Sequence, residues 1–139
     1  MKMKIFLLML VTIFMATSGY AHQCSMGEMS ETNMRLGSYY KSQTATSFSV
    51  RCDQSYSIRF SSLNLNSSDG NSFVSNGKYR LRTRMSITGA NANLWNVPLS
   101  AQASNQGHKY VVAVQLEDQP SIRVPAGKYR DVIFVNLMF

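Results

Sequence analysis

Apolar residues fall at every second position through several runs of this chain, and that period constrains the fold more than any other feature. Tyr79, Leu81, Thr83, Met85 and Ile87 alternate with Arg80, Arg82, Arg84 and Ser86. Tyr56, Ile58 and Phe60 alternate with Ser57, Arg59 and Ser61, and Thr46, Phe48, Val50 and Cys52 with Ala45, Ser47, Ser49 and Arg51. A strand points successive side chains to opposite faces, so each run predicts a strand with one buried face. Tyr110 to Leu116 is a denser apolar run, as expected of a more central strand. A short strand is expected at Ile122 to Val124 and a closing one from Tyr129 to Phe139. The breaks carry turn chemistry: Asp53-Gln54-Ser55 reads as a hairpin turn, and Asn64 to Gly77, Gly89 to Asn93 and Ser104 to Gly107 as polar turns. Short strands joined by polar turns predict an all-β sandwich in one domain, with no internal repeat or linker.

The first 21 residues follow a different logic. Lys2 and Lys4 form a basic start, Ile5 to Met15 is apolar except for Thr12, and Gly19 and Ala21 are the small residues a signal peptidase requires. Residues 1–21 therefore read as a secretory signal, too short to anchor in a membrane, with cleavage after Ala21. Cys24 is no lipid-attachment site, because Gln23 and His22 stand where small residues are needed. The exported part, residues 22–139, has about 118 residues, enough for one core. Its two cysteines, Cys24 and Cys52, enter an oxidising compartment and are expected to pair. Closing that loop contributes about 3–4 kcal/mol on the chain-entropy model.

Little in this sequence points to catalysis, metal or cofactor chemistry. The two histidines are His22, at the new N-terminus, and His108, in an expected loop. The acids are scattered, and the one acidic pair, Glu117-Asp118, points to opposite faces if it lies in a strand. No serine sits in a nucleophile-elbow context, and the cysteines and His108 share no metal-ligand spacing. The expectation is a non-enzyme with no cofactor and no metal. The net charge of +7 falls by two with the leader's lysines. That mild basicity suits an anionic surface or acidic glycan, whereas export and the lack of a nucleic-acid motif argue against nucleic acid. Arg80, Arg82 and Arg84 share one face and form either a solvated face or a cationic contact strip, with side chains about 7 Å apart. Trp95 is expected in the core, with a binding loop as the other reading.

The last strand stands apart. Ile133, Val135, Leu137 and Phe139 share one face, while Val132, Phe134 and Met138 lie on the other with Asn136 as the single polar residue. Either it is a central strand buried on both faces, or it borders a groove that another protein reads.

Three stretches carry a family resemblance. They are Pro125-Ala126-Gly127-Lys128-Tyr129-Arg130-Asp131 before an alternating strand ending in an aromatic, the run from Cys24 to Leu36-Gly37-Ser38-Tyr39, and Cys52 ending a strand before a polar turn. In these the chain resembles the spore coat protein U family, which includes the pilins of archaic chaperone–usher fimbriae. The resemblance implies a pilin-type, immunoglobulin-like sandwich lacking its final strand. It implies a fimbrial or coat subunit that is held by a periplasmic chaperone, passed through an outer-membrane usher and completed by a strand from another pilin subunit. It places the contact on Ile133, Val135, Leu137 and Phe139. Polymerising members carry an alternating apolar donor segment before the first cysteine, whereas only His22 and Gln23 would precede Cys24 here. That departure fits a tip or other terminal subunit on the cell surface. The competing expectation is a self-contained, secreted, lectin-like binding module.

Overall fold

Residues 23–139 are described by a computed structural model, and within them each alternating run forms a strand. The strands are β1 (Cys24–Met26), β2 (Gln43–Cys52), β3 (Tyr56–Ser62), β4 (Asn71–Asn76), β5 (Tyr79–Thr88), β6 (Leu99–Ala101), β7 (Ser104–Leu116) and β8 (Ile133–Met138). The expected signal segment lies outside the described residues. Every strand pair is antiparallel. One sheet has the order β1-β2-β7-β5-β4 and the other β6-β3-β8.

The alternation sets which side chains meet between the sheets. Phe48 and Val50 of β2, Met85 and Ile87 of β5, and Tyr110 and Val112 of β7 face Ile58 and Phe60 of β3 across one core. Phe60 packs 6.2 Å from Phe48, 5.9 Å from Tyr110 and 6.0 Å from Trp95 between ring centroids. Trp95 is fully buried and so belongs to the core rather than a binding loop. Tyr56 of β3 and Tyr110 of β7 meet hydroxyl to hydroxyl at 2.6 Å, a polar tie between the sheets. Burial of these aromatics supplies the main driving force, since apolar area removed from water is worth about 25 cal/mol per Å2. Tyr110 to Leu116 lies in β7, between β2 and β5, as a central strand should.

Cys24 and Cys52 form a disulfide, with Cα atoms 4.1 Å apart. They sit directly opposite each other across β1 and β2. The flanking Asp53 N–H donates to Gln23 O, which makes the cysteines a non-hydrogen-bonded pair, the closer of the two antiparallel spacings.

Several expected boundaries give way. Asp53-Gln54-Ser55 does not close a hairpin; it carries the chain from the five-stranded to the three-stranded sheet. Asn64 to Gly77 holds an edge strand, β4, whose polar composition reads as loop because only Ser72 is buried in it. Gly70 turns into β4 at φ 95°, and a β-carbon there would strike the Met85 carbonyl oxygen. Ser104 to Gly107, and with them His108, belong to β7; the register slips where Val50 and Cys52 face this stretch, and Gly107 takes φ 94°. Ile122 to Val124 is a turn with Ile122 fully exposed. The last strand is Ile133–Met138 rather than Tyr129 to Phe139, with Arg130 making an isolated bridge to Ser75.

Candidate functional site

The segment before β8 fixes where that strand lies. The Asp131 carboxylate accepts three hydrogen bonds, from the Asn64 N–H at 3.0 Å, the Val132 N–H at 2.8 Å and the Ser72 hydroxyl at 2.9 Å. Arg130 and Ser75 exchange two backbone bonds of 3.0 Å, and the Tyr129 hydroxyl donates to Pro125 O at 2.8 Å. The Pro125–Asp131 motif is therefore a clamp that joins the small sheet to the edge of the large one. Sequence reasoning used Asp131 only for resemblance and missed this role; an acid flanked by turn residues was the one signal available.

Held in this way, β8 pairs with β3 alone among the described residues. Its other edge is open, so it is not a central strand. The register runs from Ser62 opposite Ile133 to Ser57 opposite Met138. The Leu63 N–H donates to Val132 O at 2.8 Å, which fixes the alternation of the ladder. Phe134, Asn136 and Met138 turn their backbone groups toward β3, and Ile133, Val135 and Leu137 turn theirs to the open side. These same three residues send half-buried side chains to the core. The open edge thus combines free strand hydrogen-bonding groups with an incompletely covered apolar core, the arrangement a further strand would complete.

Phe139, the fourth residue expected at this contact, lies beyond the strand and is 66% exposed. It borders a cleft of about 480 Å3 whose other walls include Cys24, Arg51, Cys52 and Asn105. The gap between the end of β8 and the disulfide-linked edge of the large sheet therefore lies at this terminal aromatic.

The arginines form a separate surface. Arg80, Arg82 and Arg84 all project outward from β5. β5 lies between β4 and β7, so this strip does not guard a sheet edge. Two of the three cations are already engaged within the molecule. Arg80 lies 4.4 Å above the Phe73 ring, and Arg82 bonds Asp118 through its side chain at 2.8 Å and through its backbone N–H. Glu117 pairs with Lys41 at 2.8 Å, so both members of the acidic pair are spent on separate cations. His108 Nε2 lies 3.0 Å from Gln102 O. Among the described residues no three His, Cys, Asp or Glu side chains cluster as metal ligands would.

No family model matches this sequence, and no curated protein matches it. Solved structures do. A chain in the CsuC–CsuE chaperone–tip adhesion subunit pre-assembly complex, from the archaic chaperone–usher Csu pili of Acinetobacter baumannii, is similar at a TM-score of 0.54 and 18% identity. The match covers 86% of this chain and 40% of that one, so this chain spans about two fifths of the length of its structural relative. The Hda pilus minor tip subunit HdaB of E. coli is similar at a TM-score of 0.45 and 13% identity, over 84% of this chain and 82% of that one. The fold is a pilin-type β-sandwich, as the Csu likeness shows.

Proposed function

We propose that this chain is an exported structural subunit of a fimbria or surface coat, completed by an extended strand that another chain lays along β8. One observation carries this reading. The open edge of β8 presents the backbone of Ile133, Val135 and Leu137 beside side chains that only partly close the core. The pilin-type fold supports it, as does the chaperone complex in which a structural relative was solved. On this reading residues 22–139 are the mature, spore coat protein U-like domain, released from the signal peptide after Ala21. A periplasmic chaperone covers the edge in transit, an outer-membrane usher releases it, and a neighbouring pilin subunit supplies the final strand at the cell surface. Ile133, Val135, Leu137 and Phe139 form the contact. The chemistry is non-covalent and non-enzymatic.

The test is a donor peptide. A synthetic strand of alternating apolar and polar residues, added at 100 times its dissociation constant, stabilises the folded chain by about 2.7 kcal/mol. The melting temperature of the mature chain then rises by several degrees. Leu137→Ser with Phe139→Ser abolishes that rise and reduces capture by a co-expressed chaperone. A mature chain that is monomeric, highly stable and indifferent to such peptides is instead the self-contained lectin-like module.

A further inference from the structure

β8 is apolar on its outer face as well as its inner one. Val132, Phe134 and Met138 are 48%, 45% and 42% exposed. The strand beside them does not cover them. In register, Phe134 stands opposite Ser61, Asn136 opposite Arg59 and Met138 opposite Ser57, so β3 offers short hydroxyls and one cation. Arg59 Nε has no hydrogen-bond partner of its own. On the other side of β8 lies the open edge. Side chains on one face of adjacent strands stand about 4.5–5.5 Å apart. A strand laid along that edge therefore sets its own outward side chains against Phe134 and Met138.

We propose that the segment completing this fold is an extended strand of another protein that is apolar on both faces, and that Phe134 and Met138 select it through its outward side chains. This rests on the reading that β8 accepts a strand. The free backbone edge next to the patch makes the occupant a strand rather than a helix or a small molecule. A second copy of this chain, joined β8 to β8, is a poorer occupant. The inward side chains of that β8 already pack on their own core and would leave the gap between the sheets unfilled. A donor that is apolar on one face only would fill the gap and leave Phe134 and Met138 wet.

Two ten-residue peptides with lysine tags separate the cases. The one-faced peptide alternates Val with Ser. The two-faced peptide replaces two of its central Ser residues with Leu, and a scrambled version of the latter controls for general hydrophobicity. Each is titrated against the mature wild-type chain and against Phe134→Ser/Met138→Ser, by fluorescence anisotropy and thermal melting. Where a free chain aggregates, it is refolded with peptide and the retained peptide is counted by native mass spectrometry. The two-faced peptide is expected to bind wild type at least about tenfold more tightly than the one-faced peptide, because it buries additional apolar side chains. That advantage disappears in the double variant, while the one-faced peptide binds both chains alike. Equal binding of the two peptides to wild type, or an advantage that survives in the double variant, overturns the inference and leaves strand addition standing. A concentration-dependent dimer dissolved by the double variant assigns the patch to a second copy and overturns it too. If neither peptide binds, strand addition itself fails and takes this selectivity with it.

Discussion

Replacing Cys24 and Cys52 with Ala should lower the melting temperature of the mature chain by about 10–15 °C. The bridge joins residues separated by 28 positions. For a loop of that length the chain-entropy relation gives about 3.5 kcal/mol at room temperature. Unfolding a domain of about 118 residues carries an entropy of roughly 250 cal/mol/K, and dividing the first by the second gives the shift. The full entropic effect is expected because the cysteines already face each other as a close non-hydrogen-bonded pair, with Cα atoms 4.1 Å apart. Calorimetry on wild type and the double Ala variant reads the global term. Hydrogen exchange at the Gly27 N–H, which donates to Ser49 O at 2.8 Å, reads the local term, because β1 is a three-residue edge strand with little else to hold it. A fall of less than about 3 °C, in a wild type shown by thiol titration to hold no free cysteine, would refute the reasoning. It would mean that the bridge pins β1 without restricting the unfolded chain.

Tyr56→Phe should cost about 1–3 kcal/mol, because it strands the Tyr110 hydroxyl inside the core, and adding Tyr110→Phe should recover part of that loss in urea titrations. Burial raises the Tyr110 pKa above the ordinary 10.0, with the Tyr56 hydrogen bond adding to it, and burial likewise raises that of Tyr56. The fold therefore favours both neutral phenols. Their contribution is complete below pH 10 and is lost as pH rises through the raised folded values, so the double Phe variant should show a flatter alkaline melting curve. Asp131→Ala should cost about 2–4 kcal/mol and speed exchange at the Leu63 N–H; a loss under about 0.5 kcal/mol would show that the clamp does not hold β8. Exchanging Arg80, Arg82 and Arg84 for Ser should weaken attachment to an anionic surface and its salt dependence while leaving the melting temperature almost unchanged. Unaltered attachment would reduce the strip to a solubilising face.

The sequence by itself determined what depends on the pleat. Two-residue alternation sets which side chains of β2, β3, β5 and β7 face inward, because a strand's facing is a local property of its backbone. It also set the cysteine pairing, since two cysteines in an oxidising compartment have one intramolecular solution. What the pattern could not contain was neighbourhood. An inward face says nothing of which strand lies alongside, so the change of sheet at Asp53-Gln54-Ser55 read as a hairpin. β4 was hidden because an edge strand can be polar and still pair along its whole length with β5. Asp131 drew notice for its motif, yet its work lies in Asn64 and Ser72, more than fifty residues away. Above all, the two-sided apolar pattern of Val132 to Phe139 fitted both a fully buried strand and an edge awaiting a partner. Tertiary structure chose the edge, because it placed β3 on one side of β8 and left the other side without a strand among the described residues.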